Sequence, residues 1–130
     1  MDIKPPSTLP AIRTTLMPKD TNAYGSIFGG VILSLIDLAA FIEAERQAPH
    51  RYLTVAMNKV EFHKPVMVGA IVTLWSRTLH VGQTSIRIQV KVLARARRTP
   101  DDDEVTTAEV TMVAVDKNGA PIPIFGGSAA

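Results

Sequence analysis

The spacing of hydrophobic positions changes period once along the chain. From Val31 to about Ala48 the sequence reads VILSLIDLAAFIEAERQA, which is long enough for a helix and apolar nearly all round in its first half. Beyond it, the stretches Tyr52–His63, Ala70–His80, Thr84–Ala96 and Val105–Val115 are rich in β-branched residues and predict strands. Breaks fall at Pro65 and Gly69, at Gly82, at Thr99-Pro100-Asp101-Asp102-Asp103, and at Asp116-Lys117-Asn118-Gly119. Ahead of the helix, Leu9 to Leu16 predicts a short first strand that ends in a polar turn over Met17–Asn22. One strand, one long helix and about four more strands joined by hairpin-length connections predict an α+β fold, an antiparallel sheet covered on one face by the helix.

The stretch Thr84–Ala96 alternates most clearly. Ile86, Ile88, Val90, Val92, Ala94 and Ala96 point one way, toward the helix, while Arg87, Gln89, Lys91, Arg95 and Arg97 point the other. The polar face reads first as a solvated strand surface. Cations gathered at one strand end and continued by Arg98 also suit a polyphosphate.

Composition narrows the class. A chain of 130 residues with 46% hydrophobic content fits one compact unit with a real core. Residues 1–8 read as an N-terminal tail, 9–125 as the domain and 126–130 as a flexible C-terminal tail. The absence of cysteine removes disulfides, thiolate metal sites and a Cys nucleophile, and agrees with a cytoplasmic protein. The start lacks an apolar leader and no uncharged run reaches spanning length, so no membrane is expected. A net charge of +2 with 5% aromatic residues gives little support for binding nucleic acid.

Candidate chemistry concentrates in DTNAYGSIFGGVILSLID, Asp20 to Asp37. An acid within a buried apolar helix must be paired, hydrogen-bonded or neutralised, because an isolated buried charge costs several kcal/mol. Asp37 is the leading candidate for a catalytic carboxylate, and a cap on a neighbouring loop or a pair with a basic side chain explains a lone buried acid equally well. Gly29-Gly30 falls at the expected helix N-terminus, where backbone N–H groups lack acceptors and a carbonyl oxygen can approach closely. A tight turn or close helix–sheet packing explains the glycines equally well. Asp37 lies on the order of 10 Å further along the helix axis, so a site using both groups joins helices from two subunits.

The remaining candidates argue by elimination. His50, His63 and His80 are isolated and in no ligand spacing, and Asp101–Glu104 lacks the glycine of a calcium loop, so no metal site is expected. Ser26 does not sit in a G-x-S-x-G elbow, and there is no phosphate-binding glycine fingerprint.

From Leu16 through Asn118 the chain resembles the hotdog-fold acyl-CoA thioesterases, in the YciA-like branch. The matching residues are Met17-Pro18, Asp20-Thr21-Asn22-Ala23, Gly25, Ile27-Phe28-Gly29-Gly30, Ser34 and Asp37, followed by Thr54-Val55-Ala56, Phe62, Lys64-Pro65-Val66, Val68-Gly69, Val81-Gly82, Thr84-Ser85 and Val113-Ala114-Val115-Asp116. The resemblance implies a sheet wrapped round a central helix, a homodimer with a continuous sheet as active unit, and a hexamer built as a trimer of dimers. It implies hydrolysis of acyl-CoA to CoA and a carboxylic acid, with Asp37 as general base or nucleophile, the Phe28-Gly29-Gly30 turn as oxyanion hole and Asn22 ordering the loop or the water. Asn58, Phe62, Lys64, Pro65, Gly82, Thr84, Ser85, Arg97 and Arg98 are implied CoA contacts, together with Phe28. No cofactor is implied beyond CoA itself. Ser26 and Asn58 stand where relatives often carry acids, and Ala70 where Val-Gly-Asp is usual. A non-catalytic acyl-CoA-binding protein stays open as an alternative. A hotdog hydratase has less support, because no histidine lies on the Asp37 helix or in the loop before it.

Overall fold

A computed structural model describes residues 3–126. The order is β1 (Ile12–Thr15), a single 3-10 turn (Pro18–Asp20), α1 (Gly29–Gln47), β2 (Arg51–Phe62), β3 (Ile71–Val81), β4 (Ser85–Arg95) and β5 (Asp103–Val115). All strand pairs are antiparallel, and the sheet order is β1-β3-β4-β5-β2. The expected α+β arrangement is present, with a shorter first strand than the pattern Leu9–Leu16 suggested.

Alternation explains how the layers meet. Ile86, Ile88, Val90, Val92 and Ala94 of β4 are buried, as are Ala108, Val110, Met112 and Ala114 of β5 and Val72 and Leu74 of β3. Ala96, read with the inward row, lies beyond the end of β4 and is exposed. Against this face α1 presents Ile32, Ile36, Ala39, Ala40 and Ala44, spaced three and four apart. The alanines let the helix axis come close to the sheet. Ser76 of β3 donates to the Ala39 carbonyl at 2.8 Å and pins that approach. Helix termination follows from Pro49, which disfavours helical geometry at Ala48, and Ala48 is extended.

The helix is not buried all round in the protomer, as its apolar first half led one to expect. Leu38 is 50% exposed and Phe41 39% exposed, because the sheet covers only one side of the rod. Among the described residues β2 pairs with β5 alone and its other edge has no strand beside it, with Leu53 and Val55 also exposed there. Its register shifts twice, between Thr54 and Ala56 and between Asn58 and Glu61, and Lys59 takes a φ of 51° at the second bulge.

The second half of α1 holds a buried polar cluster. Glu43 is 2% exposed, and its carboxylate accepts from Arg46 at 2.8 and 3.0 Å, Thr78 Oγ1 at 2.7 Å and Gln47 Nε2 at 3.2 Å. Gln47 also exchanges hydrogen bonds with the backbone of Lys4, and Arg46 donates to the Pro5 carbonyl. The start of the described chain is thus strapped to the helix. Of the segments read as tails, residues 1–2 and 127–130 lie outside the described residues.

Candidate active site

Two groups of residues occupy different ends of the same helix. At the N-terminal end, the turn from Asn22 to Ser26 is closed by the Asn22 side chain. Its Oδ1 accepts from the Tyr24 and Ser26 N–H groups at 2.8 and 3.2 Å, and its Nδ2 donates to Ser26 Oγ at 2.8 Å. The Asn22 side chain thus closes this loop, with the Ser26 hydroxyl as one of its partners. The Phe28 N–H is already committed to the Asp20 carbonyl at 3.0 Å, so it is not available as an oxyanion donor. Gly29 and Gly30 make up the first two residues of α1 rather than the turn before it, are exposed, and have no side-chain cap ahead of them. Their N–H groups point out of the first turn, where the helix dipole is positive.

A side chain at position 29 would crowd the exposed Phe62 ring, which would have to give way slightly. A Cβ there would come within 3.3 Å of Phe62 Cζ, whereas one at Gly30 would meet nothing within 4 Å. Gly29 is also part of the wall of an open cavity of about 340 Å³, lined as well by Ile27, Ile32, Phe62, His63, Lys64, Pro65, Val66 and Thr106. Lys64 Nζ lies 3.4 Å from Asp103 and His63 Nε2 lies 3.9 Å from Glu104. The acidic hairpin end thus faces the 63–64 loop in exposed pairs of little energetic weight.

Asp37 lies eight residues beyond Gly29, roughly 12 Å along the axis. It is half-buried in the protomer, not enclosed as the apolar helix suggested, because it faces the free edge of the sheet instead of the core. Thr54 Oγ1 on β2 donates to Asp37 Oδ1 at 2.6 Å, and no other side-chain hydrogen bond to Asp37 is present among the described residues. Oδ2 is left to act on something else. Thr54 was visible in the sequence only as part of a matching Thr-Val-Ala stretch. A hydroxyl on an edge strand has no periodic signature that would single it out.

The implied CoA contacts also divide between the two ends. Phe62, Lys64 and Pro65 line or rim the Gly29 cavity, and Arg97 and Arg98 follow the end of β4 nearest to them, where Arg97 Cδ packs on Gly69. Gly82, Thr84 and Ser85 form the β3–β4 hairpin at the opposite end of β4, roughly 33 Å away over its eleven residues. Asn58 is midway, opposite Glu109. One protomer therefore cannot gather all of these on one ligand. Of the outward cations of β4, Arg87 approaches Glu109 at 3.7 Å, which Lys59 of β2 also approaches at 3.4 Å.

Thr54 pairs with Met112, which pairs with Ile86, so Asp37 belongs to the same end of the sheet as the Gly82–Ser85 hairpin. The Gly29 end belongs with Lys64, Pro65 and the arginines. A second copy laid antiparallel along that edge of β2 would exchange these ends and bring one protomer's carboxylate end beside the other's glycine end.

A fold of this kind has known counterparts. A family model for the thioesterase superfamily matches residues 24–100. The chain belongs to that superfamily, and its sheet-wrapped helix is the superfamily's hotdog fold. Among relatives, an uncharacterised acyl-CoA thioester hydrolase of Haemophilus influenzae is 43% identical over 111 residues, 83% of this chain and 72% of its own. The acyl-CoA thioester hydrolase YciA of Salmonella typhimurium is 37% identical over 127 residues, 95% of each chain. Among solved structures, a hexameric thioesterase from Yersinia pestis superposes with a TM-score of 0.85 at 37% identity, covering 90% of this chain and 95% of that one. A hexameric broad-specificity acyl-coenzyme A thioesterase gives a TM-score of 0.86 at 39% identity, with 91% and 87% covered.

Proposed function

We propose that the chain hydrolyses acyl-CoA thioesters at a site shared by two protomers, Asp37 coming from one and the Gly29-Gly30 helix end from the other. The thioester carbonyl accepts hydrogen bonds from the two glycine N–H groups. Asp37, held through Oδ1 by Thr54, takes a proton on Oδ2 from the water that attacks the carbonyl carbon. The negative charge that develops on the carbonyl oxygen is met by N–H groups already in place and by the helix dipole, so little reorganisation accompanies bond formation. When the tetrahedral intermediate collapses, the C–S bond breaks and the thiolate of CoA leaves and takes up a proton. The products are a carboxylic acid and free CoA, and no group beyond the substrate's own CoA is consumed.

The observation that carries this reading is the Thr54–Asp37 contact at the free sheet edge, a carboxylate oriented by one donor and open on its other oxygen. Similar enzymes support the rest. The broad-specificity acyl-CoA thioesterase described above is hexameric and was solved as an aspartate-to-alanine variant. We infer a homodimer through β2 as the active unit and three such dimers in a hexamer, which would cover Leu38, Phe41, Leu53 and Val55. Among the described residues no helix is long and apolar enough to cross a membrane. We place the reaction in the cytoplasm, since the substrate carries an anionic nucleotide that does not cross a bilayer unaided.

The test is release of free CoA from short-, medium- and long-chain acyl-CoAs by wild type and Asp37→Asn, with oligomer size matched by light scattering. Loss of a general base predicts a fall in kcat of about 100-fold or more in the variant. Wild-type turnover that survives the substitution would remove Asp37 from the mechanism. Binding of CoA without turnover in either protein would replace the enzyme with a non-catalytic binder.

A further inference from the structure

Ser34 belongs to the helix motif together with Gly30 and Asp37, yet has no share in the oxyanion seat or in the carboxylate. Gly30, Ser34, Asp37 and Phe41 are spaced three and four apart on α1 and so lie on one face. Gly30, Ser34 and Phe41 are exposed and Asp37 is half-buried, so this is a face the sheet leaves uncovered. The Ser34 hydroxyl gives its one proton to the Val31 carbonyl at 2.8 Å. An oxygen committed in that way can only accept, and it keeps lone pairs for doing so. Back-bonding of this kind slightly weakens a helix, and alanine is the better helix former, so helix stability gives no reason for a serine at this position.

Asp37 supplies a reason. Its Oδ1 is held by Thr54 at 2.6 Å, which leaves Oδ2 for the water of the proposed reaction. That water has two O–H groups, while its lone pair meets the carbonyl carbon. One O–H goes to Asp37. The other needs an acceptor, because an unmade hydrogen bond is costly once a second subunit covers the face. The neighbours of Asp37 on its own helix are the residues three and four positions away, Leu33, Ser34, Ala40 and Phe41, and Ser34 is the one polar member. Residues at that spacing lie about 5–6 Å apart at Cβ, a gap that one water spans. The other hydroxyl beside Asp37, on Thr54, sits on Oδ1 instead. We infer that the Ser34 hydroxyl is the second acceptor of the attacking water and fixes its lone pair on the thioester carbon. The inference rests on the reading of Asp37 as general base. As the water oxygen bonds to the carbonyl carbon, one proton passes by way of Asp37 Oδ2 to the departing sulfur. The second hydrogen stays on the acid that forms, and Ser34 keeps its own proton throughout.

Methanol separates this role from a structural one, since it has a single O–H to give. In mixtures of methanol and water an acyl-CoA yields the carboxylic acid from water and the methyl ester from methanol, each with free CoA. In Ser34→Ala, acid formation at saturating acyl-CoA is expected to slow about 5- to 20-fold, with methyl ester formation within about twofold of wild type and KM little changed. Ser34→Thr keeps the hydroxyl and its bond to the preceding turn, and should recover most of the acid formation. The melting temperature of Ser34→Ala should equal or exceed that of wild type at the same oligomer size. Equal slowing of both products, or no slowing of acid formation, would overturn the inference. If wild type does not use methanol, the alanine is introduced into Asp37→Asn, where it should have no further effect and a proportional loss would overturn the inference. Full turnover by Asp37→Asn alone would instead refute the general base, an outcome distinct from a base that works unchanged without Ser34.

Discussion

Thr54→Val tests the geometry around Asp37 most directly. The change keeps volume and β-branching and removes one interaction, the 2.6 Å hydrogen bond to Asp37 Oδ1. Hydrogen bonds to a charged group contribute about 1.5–3 kcal/mol, and since both residues are accessible to solvent in the protomer the lower end applies. If the bond holds the carboxylate in its reactive orientation, a loss of about 1.4 kcal/mol raises the barrier enough to slow kcat about tenfold. KM should change less, because neither group is placed on the CoA arm. The assay is CoA release under saturating acyl-CoA by wild type, Thr54→Val, Asp37→Asn and the double variant, each at the same oligomer size. Thr54 acts only through Asp37, so the valine should have no further effect once Asp37 is gone, and Thr54→Ser should restore most of the rate. The same proportional loss with and without Asp37 would refute the reasoning, as would no loss at all.

Two further outcomes follow from the fold. Gly30→Ala should leave folding intact and raise helix stability by up to about 1 kcal/mol, since its Cβ meets nothing within 4 Å in the protomer. A methyl beside the proposed carbonyl seat should nonetheless lower kcat/KM at least about tenfold, and ordinary turnover would move the reaction away from the helix end. Glu43 governs behaviour in acid. Burial pushes its carboxyl up, but hydrogen bonds from Arg46, Thr78 and Gln47 and the Arg46 charge outweigh that and hold it below its ordinary 4.5. A carboxyl lowered in the fold stabilises it above the unfolded value, and that stabilisation is lost as pH falls below 4.5 through the folded value. Urea midpoints should therefore drop on acidification in that window, and drop less in Glu43→Gln, which should be about 1–2 kcal/mol weaker at neutral pH. Identical pH slopes in the two proteins would remove Glu43 as the cause.

Much of the fold could be read from period alone, because each later strand buries one face and so alternates. Ile86 to Ala94 is the clearest instance. The helix was also legible, but its environment was not. Leu38, Phe41 and Asp37 fall in a run that looks buried, and the helix has one side against the sheet and one without cover in the protomer. A hydrophobic pattern alone does not say which neighbour, within the chain or outside it, a face meets. The same gap explains the contact residues that a single chain cannot bring together. Lys64-Pro65 and Gly82-Ser85 occur in one motif series yet lie at opposite ends of β4. Glu43 escaped notice because a helix acid three residues before an arginine normally belongs to a solvated face.

The rigid spacing of Gly29 and Asp37 on one rod has a genetic consequence. Each helix would serve two reaction centres, lending its start to one and its carboxylate to the other. Inactive Asp37→Asn protein and an inactive glycine-end variant should therefore complement when their subunits are exchanged. Each mixed dimer would rebuild one intact centre and concentrate both lesions in its neighbour, and an equal mixture would recover about a quarter of wild-type sites after random reassortment. In a cell carrying both alleles, neither lesion alone would predict the phenotype.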